Sequence, residues 1–190
     1  MKLSKFYKSK IGKEYVQNID RRYRENFENM IDSIEGDNWT KKQKKKQKSS
    51  IIPILALYKT FIDFGFSKED AKELSRLWIY NTSEKAHKIL YKTFNFPKFE
   101  KIFRFIFRKG LEADEIWISK TIESDDEALK VDITKCLWKD TCDYFNCPEL
   151  CEVFCSADWV VFGDIDRLEF NRSETLGTKG DKCDFRFRFK

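Results

Sequence analysis

The sequence predicts an α+β fold, an N-terminal helical layer packed on a C-terminal antiparallel sheet in a single domain. Residues 1–110 would form the helical half and residues 111–190 a cysteine-rich sheet half. Three observations carry this. Apolar residues recur every three or four positions up to Gly110, the period then falls to two, and all six cysteines lie beyond that change, between Cys136 and Cys183. The chain has 190 residues, which suits one domain. A chain of that size buries roughly two thirds of its unfolded surface and needs no covalent staple to fold.

The helical half reads in four segments. From Tyr15 the residues Val16, Ile19, Tyr23, Phe27, Met30 and Ile34 form one stripe, with Gly36 as a stop. Ile51 to Phe64 is a more apolar helix that begins near Pro53, a tolerated first-turn residue, and ends at Gly65. Ser67 is a suitable N-cap, with Glu69 and Asp70 in the first turn of a helix reaching about Lys92. Its buried stripe would be Ala71, Leu74, Trp78, Ala86 and Ile89. Pro97 opens the fourth segment, through Lys109, with Phe99, Ile102, Phe103, Ile106 and Phe107 on one side and Lys98, Lys101, Arg104 and Arg108 on the other. Such a helix either packs on the core with lysine stems at the rim or faces an acidic ligand or a membrane surface.

In the second half, Ile116 to Ile122 and Leu129 to Lys135 read as two strands joined by a turn at Ser124-Asp125-Asp126-Glu127. A short helical segment is expected from Cys147-Pro148 to Cys155. Strands are then expected at Trp159–Phe162 and Leu168–Arg172. The last segment alternates strictly: Cys183, Phe185, Phe187 and Phe189 face one way, and Asp184, Arg186 and Arg188 the other.

Composition narrows the function classes. The chain is 41% hydrophobic and 36% charged, too apolar for a disordered protein. No run of about eighteen apolar residues is present to span a bilayer. Basic residues near Met1 are not followed by an apolar run, so no signal peptide is expected and the protein is placed in the cytoplasm, where thiols stay reduced. The net charge of +5 owes much to the run Lys41–Lys48, which reads either as an anion contact or as a solvated linker or helix face. No aromatic residues interleave its lysines to stack bases, so no nucleic-acid partner is expected. The single histidine, His87, lies among charged residues and reads as a solvated helix position. One histidine excludes multi-histidine zinc sites, and with no second histidine Ser-His and Cys-His pairs are not expected.

Cys147, Cys151 and Cys155 are spaced four apart, along one helical face, with the outer pair about 12 Å apart at roughly 1.5 Å rise per residue. They do not fit a single metal ion; they fit either a helix face buried on the sheet or a source of nucleophiles. A helix N-terminus at Cys147 and the glycine-bearing turn before Cys183 are physical routes to a stabilised thiolate.

The run Cys147-Pro148-Glu149-Leu150-Cys151, then Cys155, Asp158, Arg172, Thr175-Leu176 and Gly180-Asp181-Lys182-Cys183-Asp184-Phe185-Arg186-Phe187, resembles the L-2-amino-thiazoline-4-carboxylate hydrolase family. The motifs cover residues 136 to 188, and the helical half agrees in size and order. The same ending is similar to 4-vinyl-reductase-like ligand-binding domains. In those, a second cysteine eight residues upstream completes a metal site; here that position is Thr175, so no metal and no cofactor is expected.

The resemblance implies a small hydrolase that opens a cyclic carboxylate containing C–N and C–S bonds, or a biosynthetic tailoring enzyme performing a related ring reaction. The partner would be a small-molecule substrate, with homo-oligomerisation left open. Arg172 would grip the carboxylate, with Thr175 beside it. Glu149, Asp158 and Asp184 are the candidates to activate water or protonate the ring, and Cys183 or Cys155 to attack it. A non-enzymatic ligand-binding domain using the same pocket is the rival reading.

Overall fold

The computed structural model describes residues 2–112 and 115–190. The chain falls into two compact units, one up to Arg76 and one from Leu77 onward.

The first unit is helical: α1 (Leu3–Tyr7), α2 (Lys13–Glu35), α3 (Lys41–Lys46), a π-helical turn (Gln47–Ile51), α4 (Ile52–Asp63) and the opening of α5 (Lys68–Phe94). α2 turns its predicted stripe inward, with Ile19 and Ile34 fully buried. α4 buries Leu55, Ala56, Leu57 and Phe61, and the Tyr7 ring packs edge-on to Phe61 at 5.1 Å while its hydroxyl donates to the Leu74 carbonyl at 2.7 Å. The basic run is helix rather than linker. Thr40 and Gln43 form a reciprocal capping box, and Lys44 and Lys48 both bind Glu35 at the end of α2.

The second unit holds the end of α5, α6 (Phe99–Leu111), β1 (Trp117–Ser124), β2 (Ala128–Cys136), α7 (Leu137–Tyr144), α8 (Glu149–Phe162), β3 (Leu168–Asn171), a 3-10 turn (Leu176–Thr178) and β4 (Cys183–Phe189). The sheet is antiparallel throughout, in the order β1-β2-β4-β3. In the β1–β2 turn Asp125 accepts the backbone N–H of Glu127 and of Ala128, each at 2.8 Å. On the two central strands Leu129 pairs with Phe187, Val131 with Phe185 and Ile133 with Cys183, all turned to one buried face. Helices over an antiparallel sheet make this the α+β architecture the change of period predicts.

Four expectations change. Trp159–Phe162 is the last turn of α8, not a strand. Its β-branched apolar run is too short for periodicity to decide, and as helix it sets Phe162 against Phe170 at 5.3 Å and Phe187 at 5.2 Å. α6 is rotated relative to the predicted stripe: Phe99, Phe103, Phe107 and Leu111, spaced by four, face the sheet, and Ile102 and Ile106 are exposed. The aromatic edges decide this, since Phe103 and Phe107 lie 5.2 and 4.8 Å from Phe187. On α5, Ala86 and Ile89 face solvent, and Leu90 and Phe94 pack inward instead. His87 is half-buried rather than solvated, its Nδ1 3.1 Å from the Val161 carbonyl.

Candidate active site

The site forms where α7, α8, the 3-10 turn and the start of β4 meet. α8 is short and apolar, and its buried residues Leu150, Cys151, Val153 and Ala157 fix which way it faces. Cys151 and Cys155 sit one turn apart on it. Cys147 does not continue that helix: it precedes the N-cap Pro148, in the turn after α7, and its N–H donates to the Cys142 carbonyl at 2.9 Å. The row of sulfurs therefore runs through α7. Cys142 hydrogen-bonds Cys147 and Cys151, Cys151 bonds Cys155, and Cys155 bonds Cys183. All six cysteines are free thiols.

The 3-10 turn presses on this row at a position where only glycine fits. A Cβ on Gly177 would stand 2.8 Å from the Cys155 Sγ and 3.0 Å from the Cys151 carbonyl carbon. The turn brings the buried Thr175 hydroxyl into hydrogen bonding with Cys155, and it directs the Leu176 N–H onto the Cys183 Sγ at 3.3 Å.

These contacts separate the thiols electrostatically. Hydrogen bonds from Cys151 and Cys183 draw Cys155 well below the ordinary thiol range, against the cost of burial and with further help from Thr175 and the Arg172 charge. Cys183 is pushed up, first by the hydrogen bond it gives Cys155 and then by burial. Cys151 is drawn down by Cys142, but its own bond to Cys155 and burial raise it on balance. Cys142 is raised by its bonds to Cys147 and Cys151. Burial lifts Cys136, beside the stacked pair Trp117 and Trp138, to about 11. Within this row the contacts favour the thiolate at Cys155, which is half-buried where Cys142, Cys151 and Cys183 are buried.

Arg172, just past β3, reaches back to α8. Its side chain is only 3% exposed, and its terminal nitrogens donate to the Asp158 carboxylate and the Cys155 carbonyl, both at 2.6 Å. The guanidinium lies 5.3 Å from the Phe185 ring centroid and 5.9 Å from that of Phe170. Its buried Nε has no partner among the described residues. Burial lifts Asp158 to about 7 against the pull of Arg172, and its carboxylate keeps about a third of its surface open.

Of the residues the sequence nominated, Cys155, Cys183, Thr175, Arg172 and Asp158 are brought together. Two stand apart. Glu149 is in the first turn of α8, about 9 Å along the helix axis from Cys155. Asp184 faces the other side of the sheet, where it accepts the Ser173 and Glu174 N–H groups and the Ser173 hydroxyl at 2.8–2.9 Å. Those bonds, opposed by burial, hold it below the usual carboxylate range. Cys142 and Gly177 are the contributors the sequence did not nominate, and Cys151, read there only as one of the spaced row, joins them. Among the described residues no group of three or more His, Cys, Asp or Glu is placed to hold a metal ion, and no helix is long and apolar enough to cross a membrane.

A row of hydrogen-bonded thiols beside the Arg172–Asp158 ion pair, on helices over an antiparallel sheet, places groups suited to acid–base or nucleophilic chemistry together. Residues 43–187 match the family model described as L-2-amino-thiazoline-4-carboxylic acid hydrolase, and the chain belongs to that family. It is accordingly a hydrolase acting on a cyclic carboxylate with C–N and C–S bonds. The match reaches from α3 to β4, beyond the cysteine-rich half that carries the motifs. No curated protein matches the chain.

Proposed function

We propose that this hydrolase opens the ring of a 2-amino-thiazoline-4-carboxylate-like substrate with the Cys155 thiolate as nucleophile and Asp158 as proton carrier. The observation that carries the reading is that the Cys155 sulfur gathers hydrogen bonds from Cys151, Cys183 and Thr175 beside the Arg172 guanidinium, surroundings that draw its thiol down.

In this mechanism the sulfur of Cys155 adds to the amidine carbon, C2, and the C=N electron pair takes a proton from Asp158 at the ring nitrogen. The intermediate collapses by breaking the bond from C2 to the ring sulfur, which leaves the opened chain attached to Cys155. Water adds to the same carbon and returns a proton to Asp158. Loss of the Cys155 thiolate then yields the ureido product, and the remaining proton goes to the released thiol. The sum is addition of one water. A carboxyl that titrates near neutrality suits both directions of transfer.

Arg172 takes a different part from the carboxylate clamp its residue type suggests. Its two terminal nitrogens are engaged and its side chain is enclosed, which favours a role in holding Asp158 in place and stabilising the thiolate. Six free thiols fit a reducing compartment, and we place the protein in the cytoplasm as a tailoring enzyme for cyclic amidine carboxylates. The test is turnover of 2-amino-thiazoline-4-carboxylate by mass spectrometry, with intact-protein mass taken during the reaction. Ring opening with a Cys155-linked adduct supports the reading. Full activity in Cys155→Ala overturns it.

A further inference from the structure

A single catalytic thiolate does not account for the sulfurs that flank it. A hydroxyl or a backbone N–H would donate to Cys155 equally well, as Thr175 does, yet two of its donors are thiols. Cys155 is half-buried on α8, and Cys183, 5% exposed, opens β4. The turn between β3 and β4 locks them side by side: the Leu176 N–H holds the Cys183 Sγ at 3.3 Å, and the space for a Gly177 Cβ lies 2.8 Å from the Cys155 Sγ. A nucleophilic sulfur that is partly open to solvent, with a second thiol in contact with it, has the layout of a peroxidatic and resolving pair.

We propose that Cys155 and Cys183 form an oxidisable pair, a modification site for hydrogen peroxide or a small organic hydroperoxide. The Cys155 thiolate attacks the peroxide oxygen, breaking the O–O bond and giving Cys155 sulfenic acid with release of hydroxide or alkoxide. The Cys183 sulfur then attacks the sulfenic sulfur, its proton leaves with the hydroxyl as water, and a Cys155–Cys183 disulfide remains. The peroxide is reduced and the two thiols are oxidised; a dithiol restores both. Cys151 is the poorer resolving partner. It stands one turn away on the same helix, where Cβ atoms are about 5–6 Å apart, whereas a disulfide requires roughly 3.5–4.5 Å. Cys183 comes from a separate element that is not bound by helical spacing. Loss of turnover on oxidation rests on the nucleophile role of Cys155; the modification site does not.

The experiment treats the whole chain with stoichiometric hydrogen peroxide, blocks remaining thiols with iodoacetamide, and digests with trypsin and a glutamate-specific protease. Those enzymes separate Val153–Arg167, holding Cys155 alone, from Cys183–Arg186. The expected product is these two peptides linked, with turnover falling in step and returning on dithiothreitol. Cys183→Ser, checked by its melting curve, should stop at the Cys155 sulfenic acid with one equivalent of peroxide and, given a second equivalent, proceed to the sulfinic acid, which dithiothreitol does not reverse. Cys151→Ser should still form the link. A link between Cys155 and Cys151, or oxidation of Cys155 in wild type with no link to Cys183, overturns the proposal. A Cys155–Cys183 link that leaves turnover intact supports the pair and instead removes Cys155 as the nucleophile of hydrolysis.

Discussion

Two carboxylates in the sheet-bearing unit have cations beside them, and their surroundings drive them in opposite directions. Asp132, on the face of β2 away from the thiols, meets two cations, Lys182 at 2.7 Å and Arg186 at 2.6 Å. Burial raises it, but its two partners outweigh that and hold it below the usual carboxylate range. Asp158 meets one cation, Arg172 at 2.6 Å, with the Cys155 thiolate as a like charge nearby, and burial wins, taking it to about 7. The balance of burial and like charge against paired cations decides whether such a carboxylate stays a fixed charge or becomes a group that trades protons near neutrality. The first suits structure and the second suits chemistry.

The largest expected effect tests the chemical side. Cys155→Ala should lower kcat by roughly 10³-fold or more, with the residual rate left to binding and positioning, and should leave the melting temperature nearly unchanged because the site is already half open. Next comes Asp158→Asn, expected to cost about 10²-fold in kcat/KM. The pH profile sharpens this test. If the protonated carboxyl delivers the ring proton, wild-type kcat/KM declines as pH rises through about 7, and the variant lacks that limb. A variant with the same limb would place the proton carrier elsewhere and remove the contrast with Asp132.

How much of this was legible in the sequence follows from what each residue's neighbours decide. The stripe of α2, the Asp125 turn and the alternation of β4 are set by residues near in sequence, and they appear as expected. Arg172, Asp158, Cys155, Cys183 and Thr175 were nominated by motif and residue type, and they converge. The chain of thiols was not legible, because Cys142 enters it through α7, a helix that lacks the cysteine spacing. Nor was the rotation of α6, which depends on ring edges from β4 and α8, nor the helical Trp159–Phe162. Gly177 carries no signal in the sequence. Its requirement arises only from the approach of Cys151 and Cys155 across a long stretch of chain.

Gly177→Ala is therefore the middle-sized test. A methyl there must displace the 3-10 turn from α8, which withdraws Thr175 from Cys155 and disturbs the seat of Cys183. A shift of about an ångström would cost roughly ten- to a hundredfold in kcat/KM. The thiolate itself gives a readout that mere loss of stability would not move. In wild type, iodoacetamide alkylation of Cys155 should stay nearly constant as pH falls from 8 to 6 (about two orders in proton activity), since its thiol sits well below the ordinary range. In Gly177→Ala the same rate should fall with pH, as for an ordinary thiol. A flat profile in the variant would mean that the turn does not set the thiolate.

The smallest effect on turnover belongs to Asp132→Asn, which tests the structural side. Turnover should stay within about twofold of wild type, because Asp132 lies on the opposite face of the sheet and has no part in the proton path. Stability should fall by about 1–2 kcal/mol at pH 7, where one carboxylate with two charge-assisted hydrogen bonds is replaced by a neutral amide. The sign of the pH dependence distinguishes the two carboxylates. Asp132 is depressed in the fold, so its contribution is fully present above the unfolded carboxylate range near about 4 and is lost as pH falls through its lower folded value. The gap between wild type and variant in urea unfolding should therefore close on acidification. Asp158, raised in the fold, does the reverse: its contribution is largest below the unfolded range and is lost as pH rises through about 7. In Asp158→Asn the gap should accordingly narrow towards alkaline pH. If both variants lost their stability difference at the acid end, both carboxylates would be fixed charges, and Asp158 could not be the group that exchanges protons with the ring.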